Sequence, residues 1–266
     1  MINALLTRDT NKLRVYTQGF DSHSLRAYYY WPDMFPDINP DLPEEINRIK
    51  KDFPETRQLS KAPSFLLTYG GSFHGLMKNC GFSREEALDI EANYHELYKE
   101  SDEWVKAQLE KACHDGYVTL AFGGKLRTPL LKRSILGNRS TLYEAEAEAR
   151  TAGNALSGQS YGLLNNRAAI AFMKRVHDSK WKYDIKPVAL IHDAIYLLIK
   201  DDIECVEWVN RVLIEEMKWQ DLPELQHDEV KLGAELDLFY PSWAYPIQIP
   251  NNASQEVIQT IIRNSL

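Results

Sequence analysis

Residues 188–200 read VALIHDAIYLLIK, a run of β-branched and other apolar residues with His192 and Asp193 at its centre. The run predicts strand structure on both sides of the pair, where an unpaired buried charge would be costly. In one interpretation the pair forms a hairpin turn and the carboxylate only bonds backbone amides, although HDA has neither the glycine nor the asparagine usual in turns. In the other, the carboxylate holds a divalent cation at the tip of a buried hairpin. The stretch alone leaves both interpretations open.

The length and composition of the chain limit its class. With 266 residues, 44% of them hydrophobic, it can bury a sizeable core in one large domain or two subdomains. No apolar run approaches the length of a membrane span, and residues 1–12 lack the apolar core of a signal peptide. Cys80, Cys113 and Cys205 have neither pairing parity nor metal-ligand spacing. We therefore expect a soluble protein of a reducing compartment, the cytoplasm, with no membrane contact.

Charge is unevenly distributed along the sequence. The net charge of −7 argues against a generic nucleic-acid binder, because neutralising phosphates needs a surplus of lysine and arginine. Residues 124–143 nevertheless contain five cations and no acid, namely Lys125, Arg127, Lys132, Arg133 and Arg139. The segment is either a local basic surface or a solvated loop.

Periodicity predicts a helix-rich first half and a mixed second half. Ser83 and Glu86 have capping-box spacing and open a helical run over 83–113. Further along the chain, the patterns predict a strand at 116–122, a helix at about 141–178, the hairpin and a helix at 203–219. The fold class predicted is α+β.

Residues 56–71, TRQLSKAPSFLLTYGG, place two cations and two aromatics on one helical face. Arg57, Lys61, Phe65 and Tyr69 follow each other at intervals of four. Such cations can hold a triphosphate and such aromatics a base or sugar, but an amphipathic helix with a solvated charged end has the same spacing. Pro63 lies inside the predicted helix and should kink it.

These residues resemble motif B of the family A (Pol I-like) DNA polymerases, with Gly70 after Tyr69. Other segments resemble the same family in the same order: residues 9–24 with an aspartate-x-histidine ending in His23, residues 116–129, RTAGNALSGQS at 150–160, IHDA at 191–194 as motif C, and LDLFYPSW at 236–243. The resemblance implies helical fingers at 1–115 with a motif B helix at about 54–70. It also implies a palm at 116–250, whose antiparallel sheet carries the motif C hairpin, and a tail at 251–266. The apolar stripe of this tail could pack on the palm or on a partner.

The resemblance also implies roles for individual residues. Asp193 is expected to be a catalytic carboxylate that binds magnesium at a two-ion site, and His192 to position the primer end. His23, Arg57 and Lys61 would bind the triphosphate, with Lys61 also catalytic; Phe65 would contact the sugar and Tyr69 the templating base. The residues expected to contact DNA are Lys125, Arg127, Arg150, Asn154, Gln159 and His192. The substrates implied are dNTPs and primer-template DNA. Phe65 favours a DNA polymerase over the related single-subunit RNA polymerases, which typically have methionine there.

Several positions depart from the family pattern. Ala194 replaces a secondary acid, Leu66 replaces a glycine, and Gly124 replaces an arginine. No motif A, which carries the family's other catalytic aspartate, is found in the sequence. We therefore expect a subunit or fragment of a polymerase, and favour a split polymerase of phage type, in which a second polypeptide carries motif A, the thumb and possibly a 3′–5′ exonuclease. The alternative is a non-catalytic DNA-binding or scaffolding remnant.

Overall fold

The computed structural model describes residues 1–133 and 143–265. Their contacts divide the chain into two compact units. The first comprises Met1–Gln159 with His227–Val230, and the second comprises Ser160–Gln226 with the chain from Lys231 on. This division differs from the expected fingers and palm boundary at 115/116, which stays a prediction. No helix among the described residues is long and apolar enough to cross a membrane.

The first unit is mainly helical. Its helices are α1 (Ile2–Thr7), α2 (Thr10–Thr17), α3 (Ser22–Tyr30), α4 (Pro43–Asp52), α5 (Pro54–Leu59), α6 (Lys61–Thr68), α7 (Phe73–Gly75), α8 (Arg84–Leu97) and α9 (Lys99–Asp115). An antiparallel hairpin follows, made of β1 (Tyr117–Thr119) and β2 (Lys125–Arg127), and then the first half of α10 (Tyr143–His177). The predicted strand at 116–122 is therefore shorter than expected, because its last residues form the hairpin turn.

The second unit combines helices with two further hairpins. It contains the rest of α10, β3 (Ile185–Ile191), β4 (Ala194–Ile199), α11 (Ile203–Met217), β5 (Leu236–Phe239), β6 (Pro246–Ile249) and α12 (Gln255–Ser265). Both hairpins are antiparallel, β3 with β4 and β5 with β6. The predicted α+β class and the hairpin at 188–200 are confirmed.

The predicted motif B helix is broken at Ser60. A regular helix would join the carbonyl of Leu59 to the N–H of residue 63, but Pro63 has no N–H and its ring crowds that carbonyl. The chain therefore forms α5 and α6 as two short helices, with Ser60 as a turn residue between them. The kink predicted from Pro63 is confirmed.

The helical run over 83–113 is also two helices rather than one. Ser83 and Glu86 form the predicted capping box at the start of α8. The backbone leaves the helical region at Tyr98, whose ring is fully buried and whose hydroxyl accepts a hydrogen bond from Arg26 Nε at 2.9 Å. Apolar periodicity continues through Tyr98, so sequence spacing alone could not reveal the break.

The C-terminal helix packs on its own unit. Ile258 in α12 is fully buried against Val206, Ile247 and Ile249. Of the two interpretations of the tail, the structure shows packing within the chain.

Candidate active site

Of the four residues at intervals of four, the two aromatics are exposed, whereas Arg57 and Lys61 are half-buried. Phe65 is 55% exposed and Tyr69 is 49% exposed, although each carries a large aromatic ring. The opposite side of α6 is anchored in the core, where Ser64 Oγ lies 2.9 Å from Tyr30 Oη. The two aromatic side chains are therefore available to a ligand.

Arg57 is paired with Asp21, which precedes α3. Arg57 Nε donates to Asp21 Oδ1 and Nη2 donates to Oδ2, both at 2.8 Å. Asp21 also caps α3, because its Oδ1 accepts the N–H of Ser24 at 2.8 Å. Burial would raise the pKa of Asp21, but the hydrogen bonds from Arg57 and Ser24 outweigh it and hold that pKa well below its usual range. The carboxylate is thus charged throughout the neutral range.

His23 is the second residue of α3 and lies near Phe65. Its ring centroid is 6.4 Å from that of Phe65, and its backbone carbonyl accepts a hydrogen bond from Ser60 Oγ at 3.0 Å. Burial and the neighbouring cations Arg26 and Arg57 lower the pKa of His23 to about 4. His23 is consequently neutral at pH 7, and its Nδ1 is buried without a hydrogen-bond partner. His23 would therefore contact a phosphate as a neutral imidazole.

The end of α6 lies against two residues expected to contact DNA. Gly70 has a φ of +74°, and a β-carbon there would lie 3.8 Å from Arg150 Cγ and 3.9 Å from Asn154 Oδ1. The structure thus brings Arg150 and Asn154 beside the Tyr69-Gly70 pair. The side chain of Gln159, the third predicted residue on this helix, lies outside the described part.

Leu66, which departs from the family pattern, fills space left by two glycines. A β-carbon at Gly71 would lie 2.1 Å from Leu66 Cδ2, and one at Gly75 would lie 3.2 Å from the same atom. Because both neighbours lack side chains, the larger residue fits without displacing Phe65 from the surface.

The basic segment begins on the β1–β2 hairpin. Lys125 and Arg127 are exposed on β2, and Lys125 Nζ lies 4.0 Å from the ring centroid of Tyr117. Arg139 and the rest of 134–142 lie outside the described residues. The described part of the segment thus presents exposed cations on a short hairpin.

In the second unit, His192 and Asp193 form the two-residue turn between β3 and β4, where Ile191 pairs with Ala194. His192 has a φ of +54°, in the left-handed region that few residues other than glycine, asparagine and aspartate adopt readily. Both side chains are exposed. The hairpin turn of the first interpretation is confirmed, but the carboxylate is not buried, and the preceding Leu190 and Ile191 are also exposed.

Asn165 supports this turn and was missed by sequence reasoning. Its Nδ2 donates to the carbonyls of His192 and Ala194, at 3.4 and 3.3 Å. The residue is 5% exposed and its Oδ1 has no hydrogen-bond partner. The one available signal was a polar residue on the buried side of a long helix. That signal could not identify its hydrogen-bond partners, because His192 and Ala194 are distant in sequence.

Asp193 offers hard oxygen donors of the kind that magnesium prefers, so it fits the role of one metal ligand. Within 1–133 and 143–265, however, no group of three or more His, Cys, Asp or Glu side chains could hold a metal ion. The described residues therefore do not form a complete two-ion site.

Comparison with known proteins defines the class. The model of the protein family "DNA polymerase family A" matches residues 3–243. DNA polymerase I of Pseudomonas aeruginosa is 25% identical over 202 residues, which are 76% of this chain and 20% of that protein. The thermostable DNA polymerase I of Thermus thermophilus is 28% identical over 132 residues, 50% of this chain and 14% of that protein.

The fold agrees with this match. The POL domain of Pol1 from M. smegmatis, solved in complex with DNA primer-template and dNTP, aligns with a TM-score of 0.66 and 23% identity. The alignment covers 87% of this chain and 36% of that one. The chain belongs to DNA polymerase family A, and it spans about a fifth or less of the length of these two curated relatives.

Proposed function

We propose that the chain supplies the nucleotide-binding helices and one catalytic carboxylate of a template-directed DNA polymerase. The enzyme would join a dNTP to a primer 3′-hydroxyl and release pyrophosphate. The observation that carries the proposal is the exposed Phe65 and Tyr69, which follow Arg57 and Lys61 at intervals of four, with the His23 ring 6.4 Å from that of Phe65. Family membership supports the same reaction.

Within the first unit, the cations would bind and orient the triphosphate. Arg57 uses Nε and Nη2 for Asp21, and among the described residues its Nη1 has no hydrogen-bond partner. Nη1 and the ammonium of Lys61 would donate to phosphate oxygens and stabilise the negative charge that develops on them. Phe65 would pack beside the sugar and Tyr69 near the templating base. Lys125, Arg127, Arg150, Asn154 and Gln159 would contact the DNA.

Asp193 would ligate magnesium, and His192 would position the primer end. When two magnesium ions are bound, they activate the 3′-oxygen and stabilise the leaving pyrophosphate. Asn165 would hold the turn that presents Asp193, since it bonds the carbonyls on both sides of it. The remaining protein ligands would come from a motif A segment outside the described residues.

The surface of β3 supports such an added segment. β3 pairs with one strand only among the described residues, so its outer edge carries unpaired backbone groups. Val188, Leu190 and Ile191 on this strand are 60%, 47% and 48% exposed. We propose that the segment belongs to a second polypeptide, of a phage-type split polymerase, which also carries the thumb and possibly a 3′–5′ exonuclease.

A reconstitution assay tests these proposals. Rigorously purified 1–266 with Mg²⁺, primed template and dNTPs should not extend the primer, whereas the chain with its partner should do so. Robust extension by 1–266 alone would contradict the second polypeptide. Replacing dNTPs by rNTPs in the active assembly should abolish most extension, and equal use of both would favour the RNA polymerase alternative.

A scaffolding remnant is the second candidate, favoured by Ala194 in place of the secondary acid and by the engagement of Arg57 with Asp21. It predicts that the complete assembly binds primed DNA with full affinity and never incorporates nucleotide. Measurable extension that depends on this chain excludes it.

A further inference from the structure

The carboxylate of Asp21 accepts two hydrogen bonds from one edge of the Arg57 guanidinium. Each carboxylate oxygen accepts one N–H at 2.8 Å, and the two side chains are only 18% (Arg57) and 21% (Asp21) exposed. A bidentate pair fixes the plane of the guanidinium as well as its position. The donors of Nη1 then point away from the carboxylate.

Asp21 is itself held in place by two further contacts. Its Oδ1 caps α3 through the N–H of Ser24, and its own N–H donates to Asn47 Oδ1 at 2.6 Å. Asn47 Nδ2 in turn donates to the carbonyl of Gly19 at 2.9 Å. The carboxylate is therefore part of a rigid corner between α3 and α4.

The break at Ser60 lies between the two cations. Arg57 is in the last turn of α5 and Lys61 begins α6, so one continuous helix does not join them. Ser60 Oγ bonds the carbonyls of both Arg57 and His23, at 2.8 and 3.0 Å, which ties the break to α3. Arg57 thus takes its orientation from α3.

We propose that Asp21 is a positioning residue for nucleotide binding, which orients Arg57 so that Nη1 meets the triphosphate of the incoming nucleotide. The proposal rests on the proposed function of Arg57. Two other roles are possible for such a pair: it could only stabilise the fold, or the carboxylate could compete with phosphate for the arginine. The three roles predict different kinetics.

Asp21→Asn is the primary test, measured in the active polymerase assembly. Asparagine keeps the size and the capping oxygen of Asp21 but loses the charge that grips both nitrogens. We expect KM for dNTP to rise about tenfold, about 1.4 kcal/mol, with kcat changed less and primer-template affinity unchanged. Asp52→Asn, which breaks the exposed Arg48–Asp52 pair on α4, is the matched control and should leave KM unchanged. A lower KM in Asp21→Asn would show competition and overturn the proposal.

A double-mutant cycle separates this inference from the proposed function. Arg57→Ala should raise KM, and adding Asp21→Asn to it should raise KM no further, because Asp21 acts through Arg57. If Arg57→Ala leaves KM unchanged, the proposed function of Arg57 fails. If Arg57→Ala raises KM but Asp21→Asn does not, or if the two effects simply add, the positioning role alone fails.

If Asp21→Asn does not fold, Arg57→Lys tests the positioning role of Asp21 instead. Lysine keeps the charge but cannot form a planar, bidentate pair with the carboxylate. We expect its KM for dNTP to rise about as much as in Asp21→Asn. A wild-type KM in Arg57→Lys would overturn the proposal.

Discussion

His23 should make the first unit sensitive to mild acid. Its pKa is about 4 in the folded chain and near 6.5 when unfolded, so the unfolded chain binds more protons between these values. The free energy of unfolding should therefore decrease as pH falls from 6.5 towards 4. Asp21 adds to this loss only towards the acidic end of the window and below it, because its stabilising contribution is lost as pH falls from near its unfolded pKa of 3.8 through its lowered folded pKa.

The test is denaturant unfolding of wild type and His23→Gln across that range. The variant should lose much of the pH dependence. His95 provides a contrast of opposite sign, since its hydrogen bond to Asp102 raises its pKa and its contribution is lost as pH rises above 6.5. An unchanged slope in His23→Gln would contradict the neutral assignment.

At the scale of residues, spacing predicted which side chains share a surface but not what they touch. The four-residue intervals predicted one face for Arg57, Lys61, Phe65 and Tyr69, and the two aromatics are exposed. The grip of Asp21 on Arg57 joins residues 36 apart, and the support of the turn by Asn165 joins residues up to 29 apart. Such contacts depend on how helices pack, which residue spacing does not encode.

Among the elements, the turn after α6 should be the least tolerant of a methyl group. A β-carbon at Gly71 would lie 2.1 Å from Leu66 Cδ2 and 2.7 Å from the Leu66 carbonyl oxygen. Because the second atom is backbone, Gly71→Ala should lower the free energy of unfolding by about 1–3 kcal/mol. Gly162→Ala in α10, where a β-carbon meets nothing within 4 Å, should instead stabilise by about 0.5–1 kcal/mol. Equal stability of the two variants would contradict the packing described for Leu66.

Elements with a local chemical signal were predicted most accurately. The capping box set the start of α8, and Pro63 predicted the break between α5 and α6. The break at Tyr98 had no such signal, because it depends on the burial of one ring against residues far along the chain.

For the whole molecule, the exposed edge of β3 predicts where the proposed motif A segment binds. Val188→Asp should weaken association with the proposed second polypeptide at least tenfold, because it introduces a charge into an apolar contact. Val257→Asp, at an exposed site of α12, should not. Equal affinities in a titration of purified components would contradict a partner on β3.

The family could be predicted from the sequence because motif residues recur in order along most of the chain, and the match over residues 3–243 confirms it. The exposure of Asp193, the proposed catalytic carboxylate, could not be predicted. Apolar neighbours suggested that Asp193 is buried, whereas the turn carries it into solvent. The apolar residues on either side indicate the strands, but the position of the turn between them depends on the register in which β3 and β4 pair.

Single-turnover incorporation of one dNTP by the active assembly tests the central claim most directly. Asp193→Ala should reduce the rate by at least about a thousandfold, because a magnesium ion loses its carboxylate, while circular dichroism and the melting temperature stay close to wild type. Asp201→Ala, an exposed acid just beyond the other end of β4, should incorporate at the wild-type rate. Incorporation by Asp193→Ala within a few fold of wild type would contradict the assignment of this chain as the carrier of a catalytic carboxylate.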